Sequence, residues 1–364
     1  MPINVKESLY KMFDAKAISA YWTNVNANMD DPYIGSSMFP ISKRTGLDLA
    51  FIKGKNQLPV ALQPAAFDTK APLRDRIGVT KLETEMPFFR EGYRLGEKDR
   101  QEIATYLAAG DQFAAPIIQR IYDDITNLVD GALIQPERMI MSLLYQGRIG
   151  ISAALDTGRN VTYNYNYDVD GTWATDNNLT LTSTDTWTET NKASNNPIKV
   201  LMNAVTYMKT KYGVTPVKAL MNTTTLTNML ASESIKKAMN PIGAINLILM
   251  DNQARQFVES MTGLTFIIYD KMFKDEDGTD TKFYPDNYVT LLPSYTLGNT
   301  WYGTTPEEFD LLGGGTDASV SIVNTGVAIT SIKEAHPVNV FNIVSEIVLP
   351  SFERMSDIYV IKVA

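Results

Sequence analysis

A chain of 364 residues, 44% of them apolar and 10% aromatic, can bury a substantial core and does not have a disordered composition. Its 33 Lys and Arg against 41 Asp and Glu leave a formal charge of −8, the wrong sign for a surface that grips nucleic-acid phosphates. With no cysteine and a single histidine, disulfides, thiolate chemistry, Cys-ligated zinc and multi-histidine metal sites are excluded.

The opening residues MPINVKESLYKMF lack a charged leader followed by an apolar stretch, so no secretory signal is expected. No stretch approaches the roughly 20 apolar residues that a membrane span needs. The first 40 residues combine a short helical signal (Leu9, Met12, Phe13, Ile18) with the polar run TNVNANMDDPYIGSS. They read as an arm that needs another surface to lie against. Residues 41–95 are extended: GLDLAFIKGKNQLPVAL and GVTKLETEMPFFREGYRL are β-rich arms around the Pro- and charge-rich QPAAFDTKAPLRDRIG. Such a long hairpin without a helix to pack on is either a functional loop or has its partner outside the chain.

Helix follows. GEKDRQEIATYLAAG opens with acidic residues and stops at Gly110. Beyond it Ala114, Ile117, Ile118, Ile121, Ile125, Leu128, Val129 and Ala132 recur at helical spacing, and the pattern resumes in ERMIMSLLYQG. One long helix over 115–146 is predicted, kinked at Pro136. Val161, Tyr163, Tyr165, Tyr167 and Val169 then alternate with polar neighbours as a strand does, and DNNLTLTSTDTWTETN reads as loop or edge strand. From Pro197 the texture is α/β: helix PIKVLMNAVTYMKTKYG, strand VKALMN, helical TTLTNMLASESIKKAMN and strand TFIIYD. The last 45 or so residues are strand-dominated, with Val338–Leu349 as one long strand that Pro350 ends.

Candidate chemistry is thin. His336 precedes Pro337 at the start of the long strand and has no second histidine to work with, so it reads as a turn residue. KDEDGTD fails as a calcium loop, because Phe273 would occupy the first ligand position; a hairpin on Asp277-Gly278 fits better. LLGGGTD lacks the Lys-Ser/Thr of a phosphate loop. There is no Gly-x-Ser-x-Gly elbow, the Asp123-Asp124 and Glu307-Glu308 pairs cannot be told from solvated surface charge, and the tyrosine strand, which could bind sugar or base rings, more commonly serves cross-strand packing. No catalytic residue, metal ligand or cofactor site is therefore predicted.

Several stretches resemble one family. KFYPDNYVTLLPSYTLGNTWYG is similar to a family stretch in which a strand is reached through a Pro-Asp-Asn turn, here Pro285, Asp286 and Asn287 after Tyr284, with Leu297, Gly298 and Tyr302-Gly303 following in place. MSLLYQGRIGI resembles the end of that family's spine helix, and FERMSDIYVIKVA its terminal strand after an acidic turn. Together with the order of elements over residues 40–364, these identify the chain as similar to tailed-bacteriophage major capsid proteins, specifically the lambda-type capsid protein E family with the Hong Kong 97-like fold. The N-terminal arm matches little.

The resemblance implies an α+β fold with an N-terminal arm (1–40), an extended β-hairpin loop (41–95), and a peripheral domain with a long spine helix (96–196, the helix at 115–146). An axial α/β domain (197–337) follows, then a return strand of the peripheral domain and a terminal axial strand (338–364). It implies a structural protein of the virion that assembles with itself into pentamers and hexamers in the host cytoplasm, beside a separate scaffolding protein and a portal, and it allows a decoration protein. Phe88, Phe89 and Tyr93 on the returning arm of the loop are the candidate intersubunit contacts, against packing inside their own subunit. Lysine–asparagine crosslinking through Lys53, Lys55 or Lys70 stays open. An encapsulin-type shell on the same fold, and a hydrolase or carbohydrate-binding protein, are the competing readings. No sequence-specific nucleic-acid contact and no membrane partner is implied.

Overall fold

The computed structural model of the chain describes residues 13–26, 33–53, 80–109, 114–154, 160–240, 251–311, 318–336 and 338–364. Its helices are α1 (Ala15–Asn26), α2 (Gly35–Met38), α3 (Glu97–Ala109), α4 (Ala114–Gln146), α5 (Thr172–Asp176), α6 (Pro197–Tyr212), α7 (Thr223–Leu230), α8 (Glu233–Met239) and α9 (Asp251–Thr262). The strands before residue 230 are β1 (Ile41–Lys43), β2 (Asp48–Lys53), β3 (Thr80–Glu85), β4 (Phe88–Leu95), β5 (Arg148–Ala154), β6 (Asn160–Asn166), β7 (Asn178–Thr180) and β8 (Lys218–Met221). Those after it are β9 (Thr265–Ile268), β10 (Met272–Lys274), β11 (Asp280–Lys282), β12 (Tyr288–Leu292), β13 (Asn299–Tyr302), β14 (Ser319–Val323), β15 (Val327–Ala335), β16 (Val338–Ser351) and β17 (Tyr359–Lys362). The chain divides into two units, one of Met1–Ala50, Glu83–Arg138 and Asn299–Ser351, the other of Phe51–Leu82, Met139–Gly298 and Phe352–Ala364.

The first unit is built on β16. Its sheet runs β1-β13-β16-β15-β14, with β4 also paired to β16. β15 is antiparallel to β16 from Ala335↔Val338 to Ala328↔Ser345, and β4 from Leu95↔Val340 to Phe88↔Ile347. Because β16 is covered, its apolar residues Val340, Val344, Ile347, Val348 and Leu349 are buried, and so are the polar Asn339, Asn342 and Ser345 between them. The strand does not stop before Pro350 as expected; it continues to Ser351. The ladder explains this. Gly303 N donates to Ile347 O, which makes Tyr302↔Val348 a pair without direct hydrogen bonds, and by alternation Thr300↔Pro350 is another. The N–H that proline lacks therefore has no ladder partner to lose.

The arm residues also find their surface within this unit. Phe13 and Ile18 are buried, Phe13 in a cluster with Leu95, Ile103 and Val340. Tyr21 Oη donates to Asp123 Oδ1 and Trp22 Nε1 to Asp130 Oδ1, both at 2.9 Å, which fixes α1 along α4. Helix α3 starts with Gly96 N donating to Asp99 Oδ2 at 3.3 Å and carries Glu97 and Asp99 in its first turn, complementing the partial positive charge there. α4 runs through Pro136 as one helix. β2 and β3 pair with each other as a two-stranded ribbon, and residues 54–79 between them lie outside the described residues. Lys55 and Lys70 fall there.

The second unit carries a five-stranded sheet, β7-β17-β12-β8-β9. β12 is antiparallel to both β17 and β8, while β9 is parallel to β8 and β7 to β17. Leu201, Met208, Ala219, Met221, Val258, Phe266, Val289, Leu291 and Ile361 fill the core between this sheet and its helices. The predicted α/β texture is borne out. α6 begins where Asn196 accepts from Lys199 N at 3.1 Å and ends at Gly213, whose φ of 70° only glycine adopts freely. β10 and β11 form the hairpin expected around Asp277-Gly278, with Gly278 N donating to Asp275 O at 2.8 Å. The tyrosine strand β6 pairs with β5 and ends at Asn166, short of the run to Val169 that alternation suggested. There Asp168 turns the chain, accepting from Trp173 N and Ala174 N at 3.0 and 2.8 Å to start α5, and Val169 is left exposed.

Candidate functional site

The family-like turn is a clamp. Asn287 has a φ of 66°, a left-handed conformation that Asn adopts more readily than most residues. Its N–H donates to Thr225 Oγ1 and its carbonyl accepts from Val363 N, both at 2.9 Å, so the start of α7 and the terminal strand both hold it. Asp286 Oδ1 accepts from Lys282 Nζ at 2.7 Å and from Asn222 Nδ2, and the Lys282 ammonium leads in holding this carboxyl below its ordinary range. Asn222 also caps α7 by accepting from Thr225 N at 2.9 Å. Tyr284, fully buried ahead of Pro285, shares a 2.8 Å hydrogen bond with Thr290, and Thr290 Oγ1 donates to Leu144 O near the end of α4. The turn thus ties four chain segments together.

The acidic turn before β17 is tied just as firmly. Buried Asp357 accepts from Tyr295 Oη at 2.8 Å, Arg354 N donates to Leu297 O at 3.0 Å, and the Arg354 guanidinium lies 4.6 Å from the centre of the Tyr295 ring. Burial and the Asp357 carboxylate push the Tyr295 hydroxyl up to about 12. Buried Asn177 donates to Ser356 O and Ile358 O at 2.9 and 2.8 Å and accepts from Tyr212 Oη. Composition alone had hidden Asn177 in a Thr/Asn-rich run. Gly147, which follows α4, has a φ of 66°, and a Cβ there would meet Met355 Cε at 2.4 Å and the Trp173 ring at 2.8 Å.

Phe88, Phe89 and Tyr93 all lie on β4, hydrogen-bonded along β16. Phe88 and Phe89 are half-buried and Tyr93 is 49% exposed. Phe89 and Tyr93 share one face by strand alternation; Phe88 is on the other, beneath the Arg90 guanidinium at 4.6 Å. Of the three, Tyr93 offers the most free surface.

Directly opposite Phe89 stands a residue that the sequence reading passed over, Glu346. Its side chain is fully buried, neither carboxyl oxygen meets a hydrogen-bond donor among the described residues, and burial pushes its carboxyl well above the ordinary range. Tyr302, diagonal to it across the β13–β16 ladder, is also buried, its hydroxyl has no partner among the described residues, and burial first and Glu346 second push that hydroxyl well up. The signal was a lone acid inside NIVSEIVLP.

His336 is exposed between β15 and β16, where Ala335 pairs with Val338; Pro337 lies outside the described residues, as do 312–317 of the glycine run. Among the described residues no group of three or more His, Asp or Glu side chains is placed to hold a metal ion, and no helix is long and apolar enough to cross a membrane.

A family model described as phage major capsid protein E matches residues 14–363. No curated protein matches the chain. Among solved structures, a protein assigned as the capsid protein of a prophage of E. coli CFT073 superposes with a TM-score of 0.58 at 12% identity, covering 97% of this chain and 99% of that one. A phage-related protein of Bordetella bronchiseptica RB50 reaches 0.48 at 9% identity over 96% and 97% of the two chains. A virus-like particle from Pyrococcus furiosus reaches 0.43 at 11% identity over 95% and 97%. Only the first is similar enough to bear on the fold.

Proposed function

The chain belongs to the phage major capsid protein E family and has the Hong Kong 97-like capsid fold, and on that premise we propose that it self-assembles into pentamers and hexamers closing as an icosahedral tailed-phage head around double-stranded DNA. The observation that carries this is the family match over nearly the whole chain. Identical contacts repeated head to tail close into rings of this kind. A formal charge of −8 suits a wall that must not bind the genome it encloses. The protein performs no catalysis in this reading; a separate scaffolding protein and a portal join it during assembly in the host cytoplasm, with room for a decoration protein.

The arm, the loop, a peripheral domain that contains the β16 sheet and an axial domain that contains the β7-β17-β12-β8-β9 sheet are the working parts, and the exposed Tyr93 on β4 is the first contact to a neighbouring copy. Electron microscopy of concentrated protein, alone and with a scaffolding protein, is the direct test. Closed shells are expected, and monodisperse monomers under every condition would overturn the reading. Deleting residues 56–78 is expected to leave a folded subunit that forms no stable shells.

A further inference from the structure

Two adjacent acids, Glu307 and Glu308, sit in the helical turn Glu307–Leu311 that follows β13. They are not solvated charge. Glu307 is buried, and its two oxygens are divided between two strands: Oε1 meets Arg90 Nη2 of β4 at 2.5 Å, and Oε2 accepts from Ser345 Oγ of β16 at 2.9 Å. Arg90 and Ser345 are themselves directly opposed in the β4–β16 ladder, so one carboxylate bridges a cross-strand pair. Glu308 Oε1 pairs with Lys43 Nζ at the end of β1, and its Oε2 is buried without a partner among the described residues. Thr305, fully buried, fixes the turn by accepting from Phe309 N at 2.9 Å and, through Oγ1, from Glu308 N at 3.3 Å.

The two cations are the roots of one feature. Lys43 lies just before β2 and Arg90 just after β3, on either side of the paired ribbon. We propose that Glu307 and Glu308 form a two-point latch that holds both roots of the β2–β3 ribbon to a single turn, so that the subunit presents its loop prearranged for a neighbouring copy. Charge-assisted hydrogen bonds to a carboxylate as buried as that of Glu307 are the strong kind, while the partly exposed Lys43 and Arg90 cations leave both points open to some screening by salt. A root fixed before association has less freedom to lose on binding, which favours assembly without any added contact area.

The link to assembly rests on the capsid reading; the latch itself does not. Hydrogen exchange on the dissociated subunit tests the latch. In Glu307→Gln/Glu308→Gln, amides of residues 41–50 and 84–95 are expected to exchange about tenfold faster than in the wild type, with those of β8 and β12 unchanged. Because the double variant can fail to fold, Glu308→Gln alone and the charge swap Lys43→Glu/Glu308→Lys accompany it. Glu308→Gln should speed exchange at residues 41–50 selectively, and the swap should restore protection there. Unchanged exchange in the glutamine variants, or an equal rise throughout the chain, would overturn the latch. Assembly monitored by light scattering then tests its use: the glutamine variants are expected to need several-fold more protein to form shells, with the swap returning to wild-type behaviour. A wild type that never assembles would instead refute the capsid reading and leave the exchange result standing.

Discussion

Replacing Glu346 by methionine should stabilise the unit that contains β16, and the gain should grow with pH. The side chain is fully buried, opposite Phe89 and diagonal to Tyr302, and neither oxygen has a donor among the described residues. An unsatisfied buried polar group costs about 1–3 kcal/mol, and methionine removes it while keeping an unbranched chain of similar length. The second contribution depends on proton binding. Burial raises the folded-state value of this carboxyl, whereas in the unfolded chain it ionises near the ordinary glutamate value of about 4.3. Below that value both states hold the proton and nothing is lost. As pH rises above it, the unfolded chain releases a proton that the folded chain keeps, and stability falls until the folded-state value is passed. The expected gain of Glu346→Met is therefore about 1–3 kcal/mol at pH 4 and larger at pH 8, each kcal/mol being worth about 2–4 °C in a domain of this size class. Calorimetry of the dissociated subunit from pH 4 to 8 reads it, with Glu346→Gln as a control that flattens the pH dependence while keeping a polar group. Parallel wild-type and methionine curves, or a methionine variant less stable at pH 8, would refute the reasoning.

Gly326→Ala should destabilise by about 1–3 kcal/mol in urea titration, because a Cβ there would lie 2.2 Å from the buried Tyr302 ring. Asn287→Val should cost about 1–2 kcal/mol at its left-handed backbone, and Asn287→Gly much less. Lys282 holds the Asp286 carboxyl below its ordinary value, so its contribution is present above about pH 3.9 and lost as pH falls through the lower folded-state value. Asp286→Asn should accordingly remove part of the acid-side loss of stability, read by fluorescence-detected unfolding between pH 2 and 5. His336→Gln should change neither stability nor shell formation, since the ring is exposed at a hairpin turn.

The elements most legible in the sequence were those whose burial partners come from their own periodicity. The spine helix appears at Ala114–Gln146, within one residue of its predicted start, because Ile125, Val129 and Ala132 repeat along a buried face. The α/β stretch from Pro197 was legible in its alternating helical and strand segments, whose helices the structure caps at Asn196, Gly213 and Asn222. Proline was over-read at Pro350, which lies inside a strand at a position whose cost depends on which backbone partner is lost, and that is set by packing rather than by local pattern; at Pro136 the single long helix that was expected does run through. Likewise Val169 continued an alternation that Asp168 ends, by offering its carboxylate to the next helix.

The site residues were harder to read for a related reason. Apolar spacing reports that a face is buried, not what buries it. Phe13 and Ile18 had the look of an arm awaiting a neighbour, yet their own chain covers them; Phe309, with no pattern around it, is 76% exposed. Charge misleads in the same way. Glu307 and Glu308 resembled solvated surface and are held by residues far away in sequence, Arg90 and Lys43, which only the β4–β16 and β1–β13 pairings bring within reach. Glu346 was the opposite case: an acid within an apolar run cannot be solvated if the run is a covered strand, so its position was itself an anomaly, and burial pushes its carboxyl well above the ordinary range. Glu307, Glu308 and Glu346 all lie where strands from distant parts of the chain converge, beside the two roots of the loop.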